Sequence, residues 1–288
     1  IIGPWVHGGS WANSSKVGDL TYPENSRFNV EEHVVRWFNH HLKGIANGVD
    51  KDPTVRYYAM GAVDEPNAVG NQYRTALDWP VPCKPTPYYL EAGGSLSATA
   101  PSIPDSSTSY KADPFKPASL GDNVRAFPGA KDAGLFEKQP NVLTFTTPVL
   151  SQPVEWTGKI VAELKVASDA PDTDFIVRIS DVYPDGKSIL LVDYIRRGRY
   201  RDGFEKDSFL KPGQIAPITF DVGWISQVFN KGHRIRVTVC STATPFYEPN
   251  PNSAAPLSPE FPQDARVATN TIFHQAKAAS RIIAPLRD

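Results

Sequence analysis

The chain has 288 residues, enough for one large domain or two ordinary ones, and 40% of them are hydrophobic, which suffices for a true core. A formal net charge of -1 gives neither a nucleic acid nor an anionic membrane surface an electrostatic reason to bind, so we expect neither as a partner. No apolar run approaches the length of a membrane span, and nothing in the sequence assigns the protein to a compartment.

The first residues, IIGPWVHGGS, indicate the end of a buried strand. The β-branched Ile1 and Ile2 are followed by Gly3-Pro4, a combination that usually marks where a strand stops. A chain terminus is normally polar and frayed, and the basic, apolar and cleavage segments of a signal peptide are absent here. We therefore expect the natural protein to begin upstream of Ile1.

Residues 28–43, FNVEEHVVRWFNHHLK, are predicted to form a short amphipathic helix that packs on a larger body. Asn25 or Ser26 would cap its start, and Gly44 suits the left-handed position after its end. The apolar residues that recur every three to four positions and define one face are Val30, Val34, Trp37, Phe38 and Leu42.

Strands dominate after residue 50. Residues 92–142 are rich in Ser, Pro, Asp, Gly and Ala and are predicted to be loops, while Asp185-Gly186 between two apolar runs predicts a β-hairpin turn. The spacing of the strands is typical of an antiparallel β-sandwich, which leaves residues 1–48 as a strand–loop–helix piece of α/β character. The predicted strands are 54–62, 87–90, 142–147, 155–168, 173–200 with the hairpin inside it, 216–223, 233–241 and 281–286.

His7 follows the first strand in a glycine-flanked loop that leads to a helix. An α/β-hydrolase carries its catalytic His in such a loop, as the last member of the order Ser, Asp or Glu, His. The sequence holds no G-x-S-x-G, and its nearest stretch, residues 93–97, lacks the closing Gly. On these residues alone a loop His is more often structural, so both interpretations stay open.

Residues 3–7, GPWVH, resemble the G-P-W-x-H motif around the catalytic His of the CocE/NonD hydrolases, whose members include esterases, acylases and X-prolyl dipeptidyl-peptidases. Further stretches resemble motifs of that family in the same order and with similar spacing along the whole chain. They are residues 36–44 (RWFNHHLKG), 55–61 (VRYYAMG), 79–80 (WP), 170–175 (APDTDF), 181–186 (DVYPDG), 199–201 (RYR), 232–236 (GHRIR) and 247–252 (YEPNPN).

The resemblance implies a mainly β fold class, a jelly-roll β-sandwich preceded by the last strand and helix of an α/β-hydrolase domain. Residues 1–48 would be the C-terminal end of that hydrolase domain. Residues 49–288 would be an X-prolyl dipeptidyl-peptidase type C-terminal jelly-roll domain. The N-terminal α/β-hydrolase domain, which carries the catalytic Ser and Asp, would lie upstream and be the partner of this chain.

The resemblance also implies acyl transfer by a serine hydrolase. His7 would be the base of a Ser-Asp-His triad that acts on a small ester, amide or peptide, with Trp5 beside it in the substrate pocket. Without the Ser and the Asp, the chain alone is expected to be inactive. No cofactor is implied, and the formation of a homo-oligomer stays open.

The connection over residues 119–130 carries Arg125 and Phe127. Long ordered loops are often functional, and in the family that this chain resembles a loop near this point reaches over the acyl pocket. Arg125 and Phe127 are therefore predicted to be pocket residues. Arg125 departs from the apolar pattern of the family, and a solvated loop is the alternative.

Other polar residues are weighed as metal ligands. His33, His40 and His41 lie on the predicted helix without the spacing of a zinc motif. Asp172 and Asp174 supply too few oxygens for calcium and are expected to cap a turn. No metal site is predicted.

A different class of function is the alternative for the whole chain. Jelly rolls often bind carbohydrate, so a non-catalytic β-sandwich that binds carbohydrate or protein would also fit residues 49–288. A pure binding module has no need of a G-P-W-x-H loop, which favours the hydrolase. His233, at the entrance of a predicted strand, is expected to have a structural role through hydrogen bonds.

Overall fold

The computed structural model describes residues 1–66, 68–121, 129–256 and 263–287. The one α-helix among them, α1, spans Val30–Lys43. The strands in chain order are β1 Lys16–Val17, β2 Leu20–Thr21, β3 Val55–Ala59, β4 Gln72–Ala76, β5 Lys84–Glu91, β6 Ser95–Ser97, β7 Ser107–Ala112, β8 Val142–Thr146, β9 Val154–Ser168, β10 Asp174–Val182, β11 Ser188–Arg197, β12 Ala216–Phe229, β13 Arg234–Cys240, β14 Ala268–Gln275, β15 Ala278–Ala279 and β16 Arg281–Arg287.

Two packed layers form a β-sandwich. One layer has the strand order β11-β10-β13-β8. In the other, β9 is flanked by β12 on one edge and by β16 and β14 on the opposite edge, with β5 beyond β16 and β7 beyond β14. A parallel bridge from Ser95 of β6 to Thr146 of β8 joins the two layers. The predicted mainly β sandwich is confirmed.

Strand β10 is buried on both faces. Its side chains alternate between the faces, and Phe175, Val177 and Ile179 belong to the main core between the layers. Ile176 belongs to a separate apolar cluster on the outer face. Arg178 is on that outer face too, and only 2% of it is exposed. The outer face of this layer is therefore covered by other parts of the chain.

The N-terminal segment is tied to the sandwich through β3. The N–H of Ile2 donates to the Arg56 carbonyl at 2.9 Å, and the Tyr58 N–H donates to the Ile2 carbonyl at 2.9 Å. The strand predicted at the start of the chain is thus an isolated parallel bridge. Directly after β3, Met60 exchanges backbone hydrogen bonds with β12, donating to Ser226 and accepting from Val228.

Helix α1 begins and ends as its local chemistry dictates. Asn29 caps it by accepting a hydrogen bond from the Glu32 N–H at 3.1 Å, so the predicted caps Asn25 and Ser26 were wrong. Gly44 has a φ of 67° and ends the helix, as predicted. Within α1, all of which the structure describes, no side chain is buried. The apolar residues of α1 that stand exposed are Val34, Val35, Trp37, Phe38 and Leu42.

The hairpin between β10 and β11 is confirmed. Tyr183 and Lys187 close it through a backbone hydrogen bond of 2.8 Å. Gly186 takes a φ of 92° at the turn, and the Lys187 N–H donates to the Asp185 carboxylate at 2.9 Å. The Asp-Gly pair therefore acts through both its side chain and its backbone freedom.

Strands β7 and β14 were not predicted, and β7, like the short strand β6, lies in the stretch predicted to be loops. They pair with each other over Ala112↔Ala268 to Ser107↔Phe273. In β14 the buried positions alternate as in any strand, but two of them hold the polar residues Asn270 and His274. An alternation of apolar and polar residues was therefore missing from the sequence.

Three sequence motifs meet in one buried ion network. Arg199 Nε donates to Asp172 at 2.7 Å, and Arg197 Nε donates to Asp174 at 2.9 Å. Asn250 Nδ2 donates to both carboxylates, at 3.1 Å and 2.8 Å. Asp172 does cap a turn, since it also accepts from the Arg199 N–H in the 3-10 turn Gly198–Tyr200 at 2.8 Å. For Asp174 the expectation was wrong, because its carboxylate binds the Arg197 and Asn250 side chains.

Arg199→Met should destabilise the fold by about 3–5 kcal/mol, because it leaves Asp172 buried without its ion-pair partner. Lys159→Met is the matched control. It breaks an ion pair with Asp221 whose side chains are both exposed, and it should cost about 1 kcal/mol or less. Urea unfolding of the two variants measures both effects, and equal losses would contradict a structural role for the network.

Candidate functional site

The indole of Trp5 holds residues 3–5, the G-P-W stretch, in place against Ser26 and Phe28, an arrangement called the Trp5 lock below. Its Nε1 donates to the Ser26 carbonyl at 3.1 Å, and its ring packs against Phe28 with 5.3 Å between the ring centroids. A Cβ at Gly3 would overlap the indole ring, so this position requires glycine. Pro4 is buried beside it. The contacts of Gly3, Pro4 and Trp5 therefore fix the backbone that leads into His7.

His7 lies in an exposed turn directly after this lock. The Gly9 N–H donates to the Val6 carbonyl at 2.8 Å, and the Ala12 N–H donates to the Gly8 carbonyl at 3.3 Å. Gly8 has a φ of 74°, which favours glycine. Local hydrogen bonds therefore set the backbone around His7, while His7 itself is exposed to solvent.

A cavity of about 710 Å³ lies between this segment and the outer face of β10 and β11. Trp5 and Val6 line it, so His7 follows directly on a residue of the cavity wall. The walls are mostly apolar. They include Tyr22, Met60, Leu120, Phe136, Leu191 and Phe246.

One ion pair stands in the cavity wall. Arg178 and Asp193 are cross-strand neighbours of β10 and β11, with 3.3 Å between Nη1 and Oδ2. The guanidinium lies over the Phe136 ring at 4.5 Å, and the Tyr247 hydroxyl donates to Asp193 at 3.3 Å. Burial raises the pKa of Asp193, although the charge of Arg178 opposes that rise.

The predicted pocket loop borders the same cavity at its two ends. Residues 119–121 and 129–133 contribute to the wall. The Leu120 N–H donates to the Thr244 carbonyl at 2.8 Å, and the Asp19 N–H donates to the Ala130 carbonyl at 2.7 Å, so both ends are fixed. Arg125 and Phe127 lie outside the described residues, and their role stays a prediction.

His233 has the structural hydrogen bonds that were expected. It is buried, its Nδ1 lies 2.7 Å from Asp181 Oδ1, and its Nε2 lies 2.9 Å from Glu65 Oε1. Ionised carboxylates only accept hydrogen bonds, so both ring nitrogens donate when both carboxylates are charged. Burial alone would lower the pKa of His233, but the hydrogen bonds and charges of Asp181 and Glu65 outweigh it and raise that pKa.

In the described ranges, no three or more His, Cys, Asp or Glu side chains are grouped so that they could hold a metal ion. No helix there is long and apolar enough to cross a membrane. Cys83 and Cys240 are both free, and Cys240 is buried, as expected for a thiol in an apolar strand.

The C-terminal non-catalytic domain family of the X-Pro dipeptidyl-peptidases matches residues 47–283. The chain belongs to this family. Such domains form the non-catalytic C-terminal part of CocE/NonD-type hydrolases, as the resemblance implied. Residues 1–46, which include Trp5 and His7, lie outside the matched range.

The curated relatives are esterases. Cocaine esterase from Rhodococcus sp. (strain MB1 Bresler) is 33% identical over 99% of this chain and 51% of its own length. A putative serine esterase from Mycobacterium bovis is 30% identical over 83% of this chain and 40% of its own length. The chain therefore spans about half the length, or less, of the curated relatives that it matches.

Solved structures show the same fold. An aminopeptidase from the marine sediment archaeon Thaumarchaeota archaeon matches 99% of this chain and 48% of its own, with a TM-score of 0.87 and 26% identity. An α-amino acid ester hydrolase matches 95% of this chain and 47% of its own, with a TM-score of 0.82 and 25% identity. A CocE/NonD family hydrolase from Staphylococcus aureus, at 17% identity and a TM-score of 0.65, shares the fold.

Arg178 and Asp193 were not predicted as cavity residues of this non-catalytic domain. One signal was available, since Arg178 interrupts the apolar run FIVRIS of a strand flanked by strands on both sides. A charged residue in such a strand points to a partner or a ligand on the covered face. The partner itself comes from the register of β10 and β11, which the hairpin turn sets together with a β-bulge between Ile179 and Ser180.

The imidazole of His233 should make stability depend on pH. Its pKa in the folded protein is raised, so its contribution is complete below the ordinary imidazole value of 6.5 and is lost as the pH rises through the folded-state pKa. His233→Gln should therefore destabilise the protein most at acidic pH and progressively less above 6.5. Urea unfolding across this window measures the difference, and a loss that is equal at every pH would contradict the charged pair.

Proposed function

We propose that this chain is the C-terminal part of a serine hydrolase that cleaves ester or amide bonds, and that His7 is the base of its Ser-Asp-His triad. The Ser and the Asp would come from the α/β-hydrolase domain. The serine would attack the carbonyl of the substrate, His7 would take its proton, and the imidazolium would return that proton to the leaving group.

One observation carries the proposal: the Trp5 lock fixes the His7 turn beside the large, mostly apolar cavity. A general base must be held at a constant distance from its nucleophile, and the bond from the indole to Ser26 supplies a rigid approach to the turn. The relatives add support, because a cocaine esterase, an α-amino acid ester hydrolase and an aminopeptidase share acyl transfer as a reaction class.

His7→Ala in the full-length protein should lower kcat by about a thousandfold, because it removes the general base and the general acid together. The thermal midpoint should stay nearly unchanged, since His7 is exposed. The measurement is kcat on p-nitrophenyl esters together with Tm, on the same preparation.

His233→Gln is the matched control for this experiment. It alters a buried structural histidine, so it should lower Tm and leave the turnover per folded molecule near normal. If His7→Ala behaves like His233→Gln, His7 is not the base. The chain would then fit the alternative of a β-sandwich that only binds.

We also propose the domain division at residue 48, with residues 1–48 completing the α/β-hydrolase domain and residues 49–288 forming the jelly roll. The exposed apolar face of α1 supports it, because such a face on a helix normally packs against a larger body. Within this chain α1 is tied down by polar contacts, among them the ion pair of Arg36 with Asp52 and the bond from Asn47 Nδ2 to the Arg36 carbonyl.

Trp37→Asp should disrupt the full-length protein, because it would place a charge in the interface between α1 and the hydrolase domain. Asn39→Asp adds the same charge on the opposite side of the helix and should have little effect. Thermal unfolding and esterase activity measure the contrast. A Trp37→Asp protein that folds and turns over normally would rule out the assignment of α1 to the hydrolase domain.

A further inference from the structure

Arg178 is a charged residue buried in the middle of a strand. It lies mid-strand in β10, between β11 and β13, and is 2% exposed. A guanidinium has five N–H donors, and burying donors without acceptors costs free energy. The N–H donors of Arg178 therefore need acceptors close to the guanidinium.

The neighbours of Arg178 leave some of its N–H donors without acceptors. Asp193 is within ion-pair distance, at 3.3 Å, and Phe136 stacks under the guanidinium. Among the described residues, neither Nε nor Nη1 of Arg178 finds a hydrogen-bond acceptor. The cross-strand neighbour Thr238 also has a buried hydroxyl that lacks a hydrogen bond in this part of the chain.

The other charges in the cavity wall are already engaged. Lys131 Nζ donates to Asp19 at 2.6 Å. Asp132 accepts from the N–H groups of Gly134 and Ser188, at 2.9 Å and 3.1 Å. In the described wall, Arg178 is therefore the charged side chain with buried donors to spare.

We propose that this cavity binds an apolar carboxylate, whose acid group accepts hydrogen bonds from Arg178 while its hydrocarbon body contacts the apolar wall. A carboxylate suits the planar guanidinium, and its single charge limits repulsion from Asp193. The volume of about 710 Å³ has room for a small organic acid. The proposal concerns binding and holds whether or not His7 is catalytic.

The test is isothermal titration calorimetry on the full-length protein carrying His7→Ala, so that binding and turnover are separated. The probes are two matched pairs, hexanoate with hexanamide and phenylacetate with phenylacetamide. Each acid should bind about tenfold or more tightly than its amide, because hydrogen bonds to charged groups are the strong ones. Arg178→Met should remove this preference, and Lys131→Met should keep it.

Two further variants cover the case in which Arg178→Met fails to fold. Asp193→Asn removes the anion that competes for the guanidinium, so it should tighten binding of both acids. The double variant Arg178→Met with Asp193→Asn buries no lone charge and should bind acid and amide equally. The proposal is overturned if the acids bind no better than the amides, if Lys131→Met loses the preference as Arg178→Met does, or if Asp193→Asn weakens binding of the acids.

Discussion

The burial of β10 on both faces is the constraint on which the rest of this structure depends. Because the outer face of β10 carries buried side chains such as Ile176 and Arg178, other segments must cover it, and here the N-terminal segment and the connection before β8 provide the cover. Polar side chains on that outer face then need partners from the covering segments. Ser180 donates to Glu137, which also accepts from Ser188 and Arg236. The cavity lies where this cover is incomplete, and the Arg178–Asp193 pair lies in its wall.

Much of the sandwich could be predicted from the sequence because its strands follow local rules. The hairpin at Asp185-Gly186 needs only a short-range signal, and β8 to β13 carry apolar runs. The pair β7 and β14 was not predicted, because Asn270 and His274 occupy buried positions of β14, where side-chain hydrogen bonds replace apolar contacts. Asn270 donates to Thr173 and Ser241, and His274 Nε2 lies 2.9 Å from Thr108. Such partners belong to distant segments, and local periodicity does not contain them.

At the candidate site, too, some residues could be predicted from local sequence, while their partners come from distant segments. The G-P-W-x-H motif pointed to His7 and Trp5, but the acceptor of the Trp5 indole is the Ser26 carbonyl, and a backbone group leaves no trace in the sequence. The sequence motif marked Asp172 and Asp174 as important but did not show which residues they bind. Their positions two apart suggested a local turn, while tertiary contacts bring Arg197, Arg199 and Asn250 to them. A family motif can thus mark residues that hold the fold together as readily as residues that do chemistry.

A non-catalytic domain can still shape a site when its outer face forms a wall. Residues 47–283 carry the family match, yet the cavity is lined both by them and by Trp5 and Val6, which precede the match. The two parts are joined at several places. One is the apolar cluster that packs Val17 and Tyr22 against Tyr58, and another is the hydrogen bond from the Asp19 N–H to the Ala130 carbonyl. The bridge of Ile2 with β3 is a further attachment, and Met60, directly after β3, ties that strand to β12 of the sandwich through backbone hydrogen bonds. A change at Met60 or in β3 would alter the cavity without touching its charged residues, because it would shift one wall relative to the other.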